Sequence, residues 1–155
     1  MAVVLWWAAI TVLLIWGQTL LPGVCLFSSA FIVSLQNEPR QRSLWLAGVW
    51  ILIMEGCGAM AFGYGILWFT ALYISFFVGQ YLFDARSHLF MGLLGAASGA
   101  FHFFFILLLT ILESAHFPVE RMLWESVLQM ASFPLLWFVM DNFFPERLKN
   151  DERHL

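Results

Sequence analysis

Apolar positions along this chain fall into six runs, separated by short clusters of proline, glycine or charged residues. The runs cover residues 2–20, 24–35, 44–62, 66–83, 89–112 and 119–144. Each predicts a helix rather than a strand, and most are long enough to cross a bilayer, which takes roughly 20 residues. The second is short for a span, so it must be thinned around or lie partly at the interface. Leu21-Pro22-Gly23 closes the first run as a turn. Gly63-Tyr64-Gly65 passes the third directly into the fourth. Pro118 suits the first turn of the last helix, Pro134 should kink it midway, and Pro145 ends it.

The third run holds the most informative polar residue. Glu55 sits close to its middle, with glycines at 56, 58, 63 and 65 behind it. A carboxylate at the bilayer centre costs about 2.5–3.5 kcal/mol on insertion scales, so it should face protein or a wet cavity. Gly58 and Ala59 follow on the same helix face and would let a neighbouring backbone approach. This helix is therefore expected to be the inner wall of a compact bundle. Depth counted from the outer turns puts His102 and Gln129 near the level of Glu55, with Thr70 and Tyr73 on the fourth helix. Gly95, Gly99 and His102 share one stripe, and Gly95-xxx-Gly99 is a close-packing signature. Gly63 marks the outer turn. Glu55 and His102 are expected to point inward, with Gln129 and Tyr73 nearby. Such a layer could be a proton or ion relay, or a ligand cavity. A relay usually needs several acidic groups and only one is present, which favours interhelical hydrogen bonds that fix packing.

Composition changes the picture in one respect. Of 155 residues, 62% are hydrophobic and 11% charged, against about 25% charged in soluble domains. The expected fold class is thus an all-α integral membrane protein, a single domain of six transmembrane helices. The net charge of −3 matters less than where the basic residues lie. With the N-terminus inside, Arg40, Arg42, Arg86, Arg147, Lys149 and Arg153 are cytoplasmic and only Arg121 is outside. That is a strong positive-inside bias, and it puts both termini in the cytoplasm. It also favours counting the short second run as a crossing.

Chemistry-bearing motifs are few. Cys25 and Cys57 read as apolar filler. Val24 is too large for a lipoprotein box at Cys25, and no basic region precedes the first run, so no cleaved leader is expected. Glu113, His116 and Glu120 have a metal-like look, but Pro118 interrupts them and a solvated outer loop is favoured. Glu125, at the outer start of the last helix, should be hydrated, and the mixed-charge tail should be a frayed end. There is no phosphate loop, zinc-protease helix or nucleophile elbow. No catalytic residue, cofactor, metal or nucleic-acid partner is expected.

Several stretches resemble the MreD family of rod-shape-determining membrane proteins. They are Gln18-Thr-Leu-Leu-Pro22 leading to Leu26-Phe27, the basic loop with Arg40 and Arg42, and the glycine-dotted helix with Glu55 and Gly63. Ser126-Val-Leu and Phe133-Pro134-Leu-Leu before a charged tail complete the likeness. The family usually has aspartate where Glu55 stands, and Gly56-Cys-Gly58 is not its typical spacing. The resemblance implies a non-enzymatic protein of the bacterial inner membrane, working with the bitopic protein MreC. The wider machinery would be the MreB filament, RodA and a penicillin-binding transpeptidase. The implied fold is similar to the substrate-binding component of energy-coupling-factor vitamin transporters. On this view aromatic outer faces, including Trp45, Trp50, Trp68, Phe103 and Phe104, would dock a partner helix or simply contact lipid. A vitamin-binding component of that transporter type is the alternative. Its usual small residues four apart on the first helix are missing, since Val12 and Leu13 follow Ala8 and Ala9, and the outer loops are short.

Overall fold

A computed structural model describes residues 2–56, 63–113 and 118–144 of the chain. Among these residues the regular structure is all helix. In order come α1 (Ala2–Leu20), α2 (Phe27–Asn37), α3 (Arg40–Gly56), α4 (Tyr64–Gln80), α5 (His88–Glu113) and α6 (Val119–Phe143). Three of them, α1, α5 and α6, are long and apolar enough to cross a bilayer. With its composition, this makes the chain a helical membrane protein. Both turn glycines singled out in the sequence, Gly23 and Gly63, have left-handed backbone at φ 89° and 85°, a region open to glycine at little cost.

The centre of the bundle is α2, not α3. Residues 24–34 are buried without a break, and α2 packs on α3, α4 and α6. Its 11 residues extend only about 16 Å, too little for a span. Yet this stretch is enclosed by protein, so its length need not match a bilayer. Non-helical backbone at membrane depth is tolerated where protein encloses it and satisfies its polar groups. The same enclosure explains why an apolar run carries three buried serines. Ser28 and Ser29 donate to the carbonyls of Cys25 and Leu26, and the Ser34 hydroxyl meets that of Ser43 on α3 at 2.9 Å.

Successive helices run in alternate directions, as the contacts at each end establish. At one end Trp7 of α1 donates to Glu38, Gln36 reaches the Ala85 carbonyl and accepts from Trp137, and Arg86 donates to Asn37. Phe144 closes on Trp6 there. Arg40, Arg42 and Arg86 all belong to this end. The opposite end gathers the α1–α2 link, the start of α4 and the first turns of α6, where Arg121 lies.

The α5–α6 pair is the tightest seam. A Cβ on Gly95 would stand 2.9 Å from the Met130 carbonyl oxygen, and one on Gly99 would stand 2.8 Å from that of Ser126. Pro134 lies inside α6, which continues through it, and packs against Gly95. Its ring takes the place of a side chain that α5 could not otherwise admit.

Two of the aromatic residues expected on the lipid face are instead core. Trp50 and Trp68 are both 0% exposed. Each indole N–H has an acceptor inside, Thr11 Oγ1 for Trp50 and Ser28 Oγ for Trp68, both at 2.9 Å. A tryptophan can be buried completely only when its N–H is matched, and a period-based reading has no means of seeing those hydroxyls. Trp45 is exposed as expected, Phe104 largely so and Phe103 half-buried.

Candidate functional site

One cluster of buried polar groups lies at the end opposite the basic loops. It begins where α1 gives way to α2. There the backbone is not helical, so the Cys25 N–H makes no backbone hydrogen bond, while its C=O already accepts from the Ser28 N–H and hydroxyl at the start of α2. Gln129 of α6 serves both. Its Oε1 accepts from the Cys25 N–H at 2.7 Å, and its Nε2 donates to the Cys25 carbonyl at 3.3 Å. The same Nε2 lies 3.3 Å from Ser28 Oγ, which also accepts from Trp68. A single glutamine amide thus stands in for a missing turn of helix and ties α6 to the α1–α2 link and, through Ser28, to α4.

A second group lies alongside. The ring of His102 on α5 packs edge-on against Trp68, and its Nδ1 is 3.4 Å from the Tyr64 hydroxyl. Its Nε2 makes no hydrogen bond among the described residues and lies 3.8 Å from Glu125 Oε2. Glu125 is held by Arg121, one turn earlier on α6, with Nε to Oε1 at 2.7 Å. The expectation of a hydrated Glu125 is corrected here, because its side chain is only 15% exposed. Gly23 is the cause. A Cβ there would come within 2.5 Å of Glu125 Cδ, so the missing side chain opens room for the carboxyl to turn inward.

The layer expected from depth counting is divided. Glu55 is half-buried and lies in the last described turn of α3. Its Oε1 accepts the Gly65 N–H at 3.0 Å, at the head of α4. Counting depth from Gly63 placed this carboxylate too far inside. Unpaired N–H groups and the positive end of the helix dipole draw an anion to a helix N-terminus. Gln129 and His102 are buried and 4% or less exposed. Tyr73 is half-buried, lies with its ring tilted against Phe77 and lines a groove between α3 and α4, away from both. Thr70 is exposed. Gly63 caps α4, and Gly95 and Gly99 face α6. Gly58 and Cys57 fall outside the described residues, as does His116; Glu120 is exposed.

Ser28, Tyr64, Trp68 and the Cys25 backbone escaped the reading from sequence. A serine pair opening a short, otherwise apolar helix was the available signal. Only the fold could supply the acceptors and donors around it. Chemically, the cluster joins five segments, with every link described above matched except at His102 Nε2. Among the described residues no group of His, Cys, Asp and Glu could hold a metal ion. Comparison with protein-family models, curated proteins and solved structures returns no match.

Proposed function

We propose that this chain is a non-catalytic scaffold of the bacterial inner membrane, a six-span protein of the MreD kind with both termini in the cytoplasm. Its partner would be an MreC-like bitopic protein within the cell-elongation machinery that directs peptidoglycan synthesis. One observation carries the scaffold part of this reading. Gln129 is engaged across helices with Cys25 and Ser28, and Ser28 with Trp68. A protein built to move or transform a solute needs some of these groups turned to a cavity. The grooves between α1 and α3 and between α3 and α4 are lined almost wholly by apolar side chains and open outward.

The alternation of the helix ends supports six crossings, and Arg40, Arg42 and Arg86 at one end support a cytoplasmic placement of that end. Co-expression with an MreC-like protein, followed by purification in mild detergent, tests the proposal. A stable complex is the expected result. Copurification of a vitamin, or a ligand-dependent rise in melting temperature, would replace the scaffold with the transporter component.

A further inference from the structure

The bundle presents flanks of unequal height. On α4 the outward face bears Ile66, Thr70, Ile74 and Val78, all exposed. From Ile66 to Val78 that face extends about 18 Å, at a rise of about 1.5 Å per residue. The outward faces of α5 and α6 are far taller. Exposed apolar side chains run from Leu89 to Leu112 on α5 and from Leu123 to Phe143 on α6, which is about 35 Å and about 30 Å. A hydrocarbon core of about 30 Å fits the α5–α6 flank and overshoots the α4 flank.

Two charges from α3 bound α4 at its two ends. At the head, the Glu55 carboxylate accepts the Gly65 N–H at 3.0 Å. Near the foot, the Arg40 guanidinium lies over the Phe77 ring, 4.4 Å from its centroid. Gly65 and Phe77 are about 18 Å apart along the helix axis. A bilayer of ordinary depth would draw one of these charges into hydrocarbon, which is costly. A free arginine can reach back to the headgroups, but this one is engaged on Phe77, and a glutamate is too short to do so. Exposed Trp45 on α3 and exposed Tyr81 at the end of α4 lie toward the Arg40 end, where aromatic rings suit an interface. Tilting α4 would only lower the height it covers. A second copy seated on this flank would bring the same short face and the same two charges, so it would not restore the missing height. What remains is for the lipid to yield.

We infer that the α4 flank is a contact surface for thinned bilayer, the hydrocarbon beside it drawn in to about 20 Å, while lipid at α5 and α6 keeps its ordinary depth. This rests on the six-crossing part of the proposed function, in which α4 spans, and not on the bitopic partner. The test therefore uses the full chain purified alone, and it reads crossing and depth separately.

Nitroxide labels on Ile66→Cys and on Val78→Cys, in a chain carrying Cys25→Ala and Cys57→Ala, would report depth in dioleoylphosphatidylcholine vesicles. Ascorbate added outside vesicles with a single protein orientation would report which face each label approaches. Both labels should read headgroup depth, on opposite faces. Opposite faces with one label deep in the hydrocarbon would overturn the thinning and leave the crossing intact. Both labels on one face would remove the crossing and the inference with it. Spin coupling between labels on neighbouring chains would put a second copy on the flank and overturn the inference too. The unlabelled chain gives an independent reading should those variants fail to fold. Its melting temperature should peak in dimyristoleoyl lipid rather than in dioleoyl or dierucoyl lipid, and Glu55→Leu should move the peak toward longer chains. A wild-type peak in dioleoyl or longer lipid, or an unmoved peak in Glu55→Leu, would overturn the inference.

Discussion

α5 and α6 form a seam in which the backbone of one helix nearly touches the other, while α1 and α3 stand apart with a trench between them. Both pairs carry exposed apolar side chains. The difference lies in the residues at the contact. Gly95 and Gly99 remove side chains where α6 must come in, and the Met130 and Ser126 carbonyls occupy that space. The facing surfaces of α1 and α3 carry valine and isoleucine, and the two helices meet chiefly where Trp7 and Thr11 contact Trp50. Hydrophobicity does not join helices in a membrane, because lipid is as apolar as they are. What joins them is close approach and hydrogen bonding, and α1 has little of either.

That contrast can be broken most severely at the seam. Gly99→Leu should cost about 3 kcal/mol, because its first carbon already meets backbone that cannot move aside. Unfolding in mixed micelles would measure the loss, and a change below about 1 kcal/mol would mean that α5 and α6 can separate freely. Next comes the glutamine that replaces a helical turn. Gln129→Leu keeps the bulk but strands the Cys25 N–H, while the C=O retains Ser28, for roughly 2 kcal/mol. A variant as stable as the wild type would show that water or another side chain serves that N–H.

A smaller effect sharpens the other side of the comparison. Thr11→Val removes the acceptor for Trp50 without changing shape, for about 1 kcal/mol. Amide exchange should quicken along α1 and stay slow in α5 and α6; uniform change along the chain would refute a separately fastened α1. The smallest shift is expected for Glu55→Gln, roughly 0.5 kcal/mol. It keeps an acceptor for the Gly65 N–H and loses only the charge at the helix terminus. A loss several times larger, read from thermal melting, would return Glu55 to the role of a buried core charge.

Reading the chain by periodicity succeeded where local chemistry governs. The turns at Gly23 and Gly63 and the bounds of α1, α5 and α6 follow from glycine, proline and length. It misjudged Glu55, Trp50, Trp68 and Glu125 for one shared reason. Each position depends on a group distant in sequence: the Gly65 N–H, a threonine or serine hydroxyl, and the space left by Gly23. Depth counting treats the membrane as a slab with one polarity at each level. Inside the protein, a polar side chain goes to the nearest unmatched partner.

Composition and hydropathy alone determined that the chain is helical and lives in a membrane, and the spacing of Gly95 and Gly99 marked a face for close contact. These are properties of single segments, set by what each stretch can expose to lipid. Only the tertiary structure decided that the shortest helix is the axis of the molecule. A segment too short to span can sit there because α3, α4 and α6 pack around it and one glutamine meets the Cys25 N–H, and no segment carries that information by itself.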